Sequence, residues 1–380
     1  MAQPIVTGLS GNEIYCMQLK GLKPSGIVVG NSVQSMGFLG GVSSAFRGAI
    51  GGEVSAVTSM IHDGREAAFE RMADEARREG VHGVVGVSSD LRNLAGNSEF
   101  LFVGSGVVGS TGAKSFTSAG DAQELYCHMD AGYQPLQFVF GNIAYSVGAV
   151  GGIVGNLKTM VRGEIREFSD IFNATRHRAL DRLVSQARKA GANAVVGVRT
   201  NVMKFVGFHE MYMTGTASFH PDLPAECKTY PVTSDLTGEE LWSMTSLGYA
   251  PIKLLISTSV YSLGAVGSLK AMFKGFVKGE ISDLTTLIYD ARENAFDRLR
   301  KDAAAVHAEE IVGIKTYIIE LNPGLIEIVA VGTAVQKLSG VKVATPSLPA
   351  QAIIRDKDTW LSGESGFGLQ STRAGGSVSS

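Results

Sequence analysis

Three stretches of similar sequence decide the fold, and each begins and ends with Arg. They are Arg65-Glu-Ala-Ala-Phe-Glu-Arg71, Arg176-His-Arg-Ala-Leu-Asp-Arg182 and Arg292-Glu-Asn-Ala-Phe-Asp-Arg298, and they start 111 and 116 residues apart. Self-similarity at fixed offsets is the signature of a repeat architecture. The 380-residue chain is therefore predicted to contain three tandem copies of one unit, in keeping with the roughly two or three domains expected for this length.

The same offsets extend over the rest of each copy. They relate glycines and prolines outside the three stretches, and the last strand of the third copy is shifted by one further residue. The matched positions are Gly21, Gly132 and Gly248; Pro24, Pro135 and Pro251; Gly86, Gly197 and Gly313; and Gly104, Gly215 and Gly332. We therefore expect the three copies to share one fold.

Each copy opens with the signals of a short helix. Ser10, Asp121 and Thr237 are each followed three residues later by Glu, which predicts a capping box at the helix start. The helix is predicted to end at the first matched glycine, which can adopt the left-handed conformation of a helix C-cap, and Pro follows. Apolar runs then predict buried strands, at Ile27-Val28-Val29, Phe138-Val139-Phe140 and Leu254-Leu255-Ile256.

The rest of each unit is predicted to be a long helix followed by two strands. In the first copy the helix after Gly52 runs to about Gly80, with an apolar face at a period of about 3.6 residues. Each unit is therefore α+β, a small sheet packed against helices. The predicted units span 9–107, 120–219 and 236–338, and a mostly disordered tail follows at 341–380, in which Trp360 could dock a partner.

The composition excludes some classes of protein. Hydrophobic residues make up 44% and charged residues 18%, and 34 basic against 36 acidic residues give a net charge of −2. This balance does not favour nucleic-acid binding. So few charges predict that part of the surface is covered, and the uncharged stretches recur where a strand passes into a glycine-rich helix. We expect the interface there, at Gly37, Gly40, Gly148, Gly151, Gly264 and Gly267.

The repeat resembles the YbjQ-like family, whose members are often labelled heavy-metal-binding domain proteins. The resemblance covers about three quarters of the chain and implies closed rings, in which each domain buries apolar surface against its neighbour. It rests on Gly26-Ile-Val-Val-Gly30, Gly51-Gly52, the Arg-x-x-Ala-Phe-Glu-Arg helix, Ala190-Gly-Ala-Asn-Ala-Val-Val-Gly-Val198 and Gly332-Thr-Ala-Val335.

Two groups of residues are candidate metal ligands. Cys127 and His128 are adjacent on the first helix of the second copy. His209, Met211 and Met213 fall on one face of a strand and offer an imidazole and two thioethers to a soft ion. The third copy keeps neither group. We interpret both as buried structural residues and expect no cofactor, with metal binding as the alternative.

A set of charged residues recurs in all three copies. The spacing of these residues on and before the long helix favours ion pairs within or between repeats. No nucleophile with a base recurs beside them, so the chain is not predicted to be an enzyme. The set comprises Glu53, Arg65, Arg71, Glu164, Arg176, Arg182, Glu280, Arg292 and Arg298.

These features favour a non-enzymatic assembly protein that forms a closed ring or shell-like homo-oligomer. A heavy-metal or small-ligand binding protein in stress or metal homeostasis is the first alternative. A peripheral membrane scaffold is the second, because basic residues flank the apolar helices. These residues are Lys158, Arg162, Lys270, Lys274 and Lys278. The first residues show no secretory signal and three cysteines give no disulfide framework, so a cytoplasmic location is expected.

Overall fold

The computed structural model describes residues 4–35, 52–94, 97–109, 115–146, 163–205, 208–262, 282–322 and 325–353. The chain folds into three successive α+β units, as the repeat predicts. Each unit contains a nine-residue helix, a long strand, a long helix and a two-strand hairpin.

The first unit comprises α1 (Gly11–Leu19), β1 (Lys23–Ser35), β2 (Gly52–Glu53), α2 (Ser55–Arg78), β3 (Gly83–Leu94) and β4 (Asn97–Val108). The second follows β5 (Phe116–Thr117) and comprises α3 (Ala122–Asp130), β6 (Gln134–Ser146), β7 (Gly163–Glu164), α4 (Arg166–Lys189), β8 (Ala194–Phe205) and β9 (Phe208–Phe219). A 3-10 turn (Ala225–Lys228) and β10 (Val232–Thr233) lead to the third, with α5 (Gly238–Ser246), β11 (Tyr249–Ser262), α6 (Ser282–Ala305), β12 (Glu310–Asn322) and β13 (Leu325–Lys337), and then to α7 (Ala350–Ile353).

The short helices begin and end where the sequence predicts. The Ser10 hydroxyl accepts a hydrogen bond from the Glu13 amide at 3.3 Å, and the Ser10 amide donates to the Glu13 carboxylate at 2.8 Å. Thr237 forms the same box, and the Asp121 carboxylate accepts from the Glu124 amide at 2.8 Å. These bonds satisfy N–H groups that a helix start leaves unpaired. Each helix is followed by a glycine of positive φ: Gly21 at 75°, Gly132 at 91° and Gly248 at 81°.

Each unit contains an antiparallel sheet whose central strand comes last in the sequence. β4 lies between β1 and β3, β9 between β6 and β8, and β13 between β11 and β12. The pairing register repeats at the matched positions, in the pairs Val28–Gly104, Val139–Gly215 and Leu255–Gly332. The one-residue shift of the last strand in the third copy is therefore also present in the structure.

Short strands link each unit to the next. β2 of the first unit pairs antiparallel with the end of β6 in the second, and β7 of the second pairs with the end of β11 in the third. In return, β5 and β10 pair in parallel with β3 and β8 of the unit before them. The three sheets contain four, five and four strands. Backbone hydrogen bonds therefore join neighbouring units in both directions.

The long helices lie across two sheets each. α2 packs on β1 and β4 of its own unit and also on β6 of the next, and α4 packs on β6 and on β11. Glycine is needed where the long helices of the first two units cross their own sheets, since a Cβ on Gly30 would lie 2.1 Å from the Ala68 carbonyl oxygen. A Cβ on Gly141 would likewise lie 2.1 Å from the Ala179 carbonyl oxygen. Successive units therefore share their hydrophobic cores.

The chain after the third unit packs against the short helices. The Thr345 hydroxyl donates to the Asp130 carboxylate at 2.7 Å, and Ala352 of α7 is fully buried beside α1 and α3. Residues 341–353, the described part of the predicted tail, therefore contact the short helices through Thr345 and Ala352. Trp360 lies outside the described residues.

Candidate assembly interface

Two arginines on the long helices reach into the following unit and pair with a buried glutamate. The Arg65 guanidinium on α2 makes a two-point contact with the Glu210 carboxylate on β9, with Nη2 3.0 Å from Oε2. Arg176 on α4 does the same with Glu327 on β13, with Nε 2.9 Å from Oε1 and Nη2 2.5 Å from Oε2. All four side chains are buried. Two-point guanidinium–carboxylate contacts are directional, so these pairs orient one unit on the next.

Aromatic rings complete both pairs. The Arg65 guanidinium carbon lies 3.7 Å from the centroid of the Tyr212 ring. That of Arg176 lies 4.8 Å from the Tyr145 centroid, and the Tyr145 hydroxyl accepts a hydrogen bond from Nη2 at 2.8 Å. Burial lowers the pKa of the Arg176 guanidinium, but the negative charge of Glu327, the Tyr145 side chain and the hydrogen bonds to both together outweigh burial and hold that pKa above its usual value. The arginine therefore stays charged inside the protein.

A second ion pair lies at the edge of each junction. The Arg182 guanidinium on α4 donates to the Asn142 carbonyl at 2.7 Å and to the Glu53 carboxylate on β2 at 2.5 Å. At the next junction Arg298 on α6 donates to Glu164 on β7 at 3.2 Å. Members of the recurring charged set thus meet across the junctions between units.

The short helices of successive units stack. α3 contacts both α1 and α5. The Lys20 ammonium contacts the Asp130 carboxylate at 3.0 Å, and the Trp242 indole N–H donates to the same carboxylate at 2.8 Å. The α3–α5 contact is so close that a Cβ on Gly238 would lie 2.8 Å from the Glu124 Cα. Asp130 therefore ties together the first helices of all three units.

Hydroxyl groups hold the segments between units in place. The Ser118 hydroxyl lies 3.3 Å from the Thr216 hydroxyl on β9, which also accepts from the Ala119 amide at 3.0 Å. At the next junction the Ser234 hydroxyl lies 3.4 Å from the Thr333 hydroxyl. Because Thr216 and Thr333 occupy matched positions, the two junctions are built from the same contacts.

Each end of the three-unit array has the residues of one side of a junction between units, without the other side. Among the described residues no helix covers the outer face of the first sheet, where Val29 and Val33 are 41% and 49% exposed. The matched residues of the second sheet, Phe140 and Ala144, lie beneath α2 and are 2% and 0% exposed. At the other end, α6 presents an exposed Tyr289. The described chain therefore ends in two unlike, uncovered surfaces.

Three members of the charged set belong to these ends. The Arg71 guanidinium donates to the Asn31 carbonyl, as Arg182 does to Asn142, without a glutamate partner in the described chain. Arg292 forms no ion pair with any described residue. Glu280 lies outside the described residues, as do all the interface glycines predicted from the sequence: Gly37, Gly40, Gly148, Gly151, Gly264 and Gly267.

Sequence reasoning missed Glu210 and Glu327, the partners of the buried arginines. A signal was present, because the one-residue shift of the last strand brings Glu99, Glu210 and Glu327 to one matched position. The glutamate therefore recurs in every unit, as the arginine does.

The candidate metal ligands on α3 lie in separate surroundings. Cys127 is buried beside Cys16 in an apolar cluster, and burial raises the pKa of its thiol. A raised pKa disfavours the thiolate, which is the form that binds metals. His128 lies against Gly197 on β8, and burial lowers the pKa of its imidazole to about 4. The two side chains therefore do not converge on one site.

His209, Met211 and Met213 share one face of β9, and that face packs into the core. The His209 ring stacks on the Tyr145 ring with centroids 5.5 Å apart, and both methionines belong to the apolar cluster under α4. In the described part of the chain, no three His, Cys, Asp or Glu side chains come together as metal ligands. His209, Met211 and Met213 are therefore packing residues of the core here, and metal binding by either group stays a prediction.

The described helices also bear on the membrane hypothesis. None of them is long and apolar enough to cross a bilayer. The apolar faces of α2 and α4 are buried on the sheets. The basic residues that motivate the peripheral scaffold, Lys158, Arg162, Lys270, Lys274 and Lys278, lie outside the described residues.

Relatives of two sizes resemble this chain. The chain is 29% identical over 242 residues to an encapsulin nanocompartment protein of Mycobacterium tuberculosis. The aligned region covers 62% of this chain and 90% of that protein. Shorter relatives align with about one unit. A UPF0145 protein of Thermosipho africanus is 41% identical over 83 residues, 22% of this chain and 77% of that protein. One of Sulfurisphaera tokodaii is 37% identical over 84 residues, 22% of this chain and 74% of that protein. No solved structure matches the chain significantly.

The model of the YbjQ family, described as putative heavy-metal-binding, matches the chain three times. The matched residues are 17–110, 131–220 and 250–337. These segments make up well over half of the chain and coincide with the three structural units. The protein therefore belongs to the YbjQ family and carries three tandem copies of its domain.

Proposed function

We propose that this protein is a non-enzymatic structural protein whose chains associate, through the unlike ends of the array, into a closed ring or shell-like homo-oligomer. The open outer face of the first sheet carries the proposal. Val29 and Val33 are exposed there, while the matched Phe140 and Ala144 are buried beneath a long helix. Exposed apolar side chains in a row favour burial by a partner. α6 is the long helix that has no following sheet in the described chain.

The two unlike ends favour one kind of contact between chains. A contact between two different surfaces is heterologous, so it forms a ring when the rotation between neighbours closes and a filament when it does not. The two internal junctions use matched residues, so the same step would recur from chain to chain. A closed ring of identical chains would then contain a multiple of three units.

Three further observations support this function. The relative in Mycobacterium tuberculosis is named an encapsulin nanocompartment protein, and a compartment is built from repeated contacts between subunits. Three units in one chain have a high effective concentration for one another, so part of the assembly is intramolecular. The buried arginines and glutamates neutralise each other inside the junctions, which suits a structural role better than a catalytic one.

Size-exclusion chromatography with light scattering at low micromolar concentration tests the proposal. We expect a particle whose mass is an integer multiple, greater than one, of the 40.1 kDa chain mass. Electron micrographs of the same sample should show closed particles. A stable monomer of 40.1 kDa throughout that concentration range would overturn the proposal.

A further inference from the structure

We infer that the junction between two copies of this chain repeats the internal junctions, with Arg292 of one copy paired to Glu99 of the next and Ile5–Val6 of that next copy added to the free edge of β12. The inference rests on the proposed self-association and names the surfaces that perform it. The partner is a second copy of this chain, because the two ends of the array continue the pattern of the internal junctions. Three separate contacts support it.

The first contact is an ion pair. Arg292 on α6 occupies the matched position of the two arginines that pair with buried glutamates, and Glu99 on β4 occupies that of the two glutamates. In both internal junctions the arginine of one unit binds the glutamate of the following unit. Among the described residues Glu99 has no basic partner and accepts a 3.4 Å hydrogen bond from the Asn31 side chain. These two half-buried charges are therefore complementary and unmatched.

The apolar surroundings of these charges match as well. At the first junction His62 on α2 lies against Phe140 on β6, with ring centroids 5.2 Å apart. The residues at the matched positions of the two ends are Tyr289 on α6 and Val29 on β1. Both are exposed. Contact between them would remove apolar surface from water at each end.

The second contact is an added strand. β5 pairs in parallel with the start of β3, and β10 with the start of β8, and the first residue of each short strand is buried. Ile5 and Val6 occupy the matched positions, yet they are 61% and 72% exposed. β12 is an edge strand, and the matched partners at its start are Glu310 and Ile311. An open strand edge binds an extended segment through main-chain hydrogen bonds.

The third contact extends the stack of short helices. Gly238 at the start of α5 is pressed against Glu124 on α3, whereas a Cβ on the matched Gly11 of α1 would meet nothing within 4 Å. At the other end of the stack, Ser243 on α5 is exposed, although the matched Cys127 on α3 is buried. α1 of one copy therefore fits on α5 of the preceding copy.

Charge reversal with rescue tests the ion pair. Arg292→Glu and Glu99→Arg should each raise the protein concentration at which half of the chains are assembled by tenfold or more, because a charge of the wrong sign is placed in the junction. The double variant should regain most of the wild-type assembly. Arg300→Glu is the matched control, since Arg300 lies on the same helix, is exposed and contacts Asp297 within α6. It should leave assembly unchanged.

Cysteine cross-linking tests the added strand. Val6→Cys combined with Ile311→Cys should form a disulfide between chains under mild oxidation and give a ladder of covalent multimers. The matched internal pair, Thr233→Cys with Val195→Cys, should cross-link within one chain without changing its mass.

The two proposals fail separately. A wild-type monomer would overturn both of them. If the wild type assembles but the charge variants assemble equally well, or the Val6 and Ile311 cysteines stay unlinked, the inferred junction is wrong and self-association through another surface stands.

Discussion

Arg176 and Glu327 are 151 residues apart in the sequence and form a buried, two-point ion pair between the second and third units. The Thr258 hydroxyl donates to the same carboxylate at 2.6 Å. A buried charge that loses its partner costs several kcal/mol, on the order of 3–5. The arginine of the second unit is therefore stable in the interior only while the third unit is docked on it.

Removing one partner of this pair should destabilise the protein strongly. Arg176→Ala leaves the Glu327 carboxylate buried without its counter-charge, so we expect the free energy of unfolding to fall by about 3–5 kcal/mol. Urea unfolding at one fixed protein concentration measures the change. Arg178→Ala on the same helix is the control, because Arg178 is exposed and contacts Glu53 at 3.2 Å, a contact expected to contribute about 0–1 kcal/mol. Equal losses in the two variants would contradict the assignment.

The close approach of helix and sheet should make Gly141 intolerant of a side chain. In Gly141→Ala the Cβ would lie 2.1 Å from the Ala179 carbonyl oxygen and 2.7 Å from the Leu183 amide nitrogen. Both contacts are with helix backbone, so the helix must shift, and we expect a loss of about 1–3 kcal/mol or more in the free energy of unfolding.

The third unit supplies the control for this glycine variant. Ser257 stands at the matched position of Gly141, and its hydroxyl donates to the Ala295 carbonyl at 2.6 Å. Ser257→Ala keeps the Cβ and removes one hydrogen bond, so it should cost only about 1 kcal/mol. Thermal unfolding of both variants checks the order. A Gly141→Ala protein as stable as the wild type would show that the helix is not held so close.

Burial of His128 should make stability depend on pH below neutrality. Burial lowers the pKa of its imidazole to about 4, against 6.5 for a free side chain. The unfolded chain then takes up a proton at a higher pH than the folded chain. The contribution to stability is therefore complete above pH 6.5 and is lost as the pH falls towards 4, by up to about 3 kcal/mol. Urea unfolding at pH 7.5 and 4.5 measures the loss.

His128→Met is the matched variant for this test. Met17 and Met244 occupy the matched positions, so methionine suits the site and has no proton to gain. Burial raises the pKa of Asp121 to about 6, which gives a pH dependence of opposite sign, but Asp121 is present in both proteins and its effect cancels in the comparison. The variant should lose less stability at low pH than the wild type. Identical pH profiles would contradict the prediction.

The cysteines should be unreactive in the folded protein. Burial raises the pKa of Cys16 to about 11 and also raises the pKa values of Cys127 and Cys227. The thiolate is the reactive form, so the folded chain should react slowly with a thiol reagent at pH 8. In guanidinium chloride all three cysteines should react within minutes. Rapid stoichiometric labelling of the folded protein would show that these thiols are accessible.

Much of each unit was predictable because its signals are local. The capping box of Ser10 and Glu13 and the positive-φ glycine at Gly21 involve neighbours a few residues apart, and the structure places both as predicted. The two strands after each long helix were also predicted, and in the structure they pair antiparallel. Local sequence could not indicate the two-residue strands such as Val232–Thr233, since two residues have no periodicity and pair only with a sheet of another unit.

The number of units, the α+β class and the order of short helix, long strand, long helix and two final strands in each unit followed from sequence alone, because the repeat offsets, caps and glycines act within or at fixed distances along the chain. The location of the buried arginines, the glutamates that neutralise them and the faces that remain open followed only from the three-dimensional arrangement. Pairs such as Arg65 and Glu210 are 145 residues apart. They meet only because the long helix of one unit docks on the sheet of the next. That docking depends on burial and charge contacts between distant residues, which a local sequence pattern does not contain.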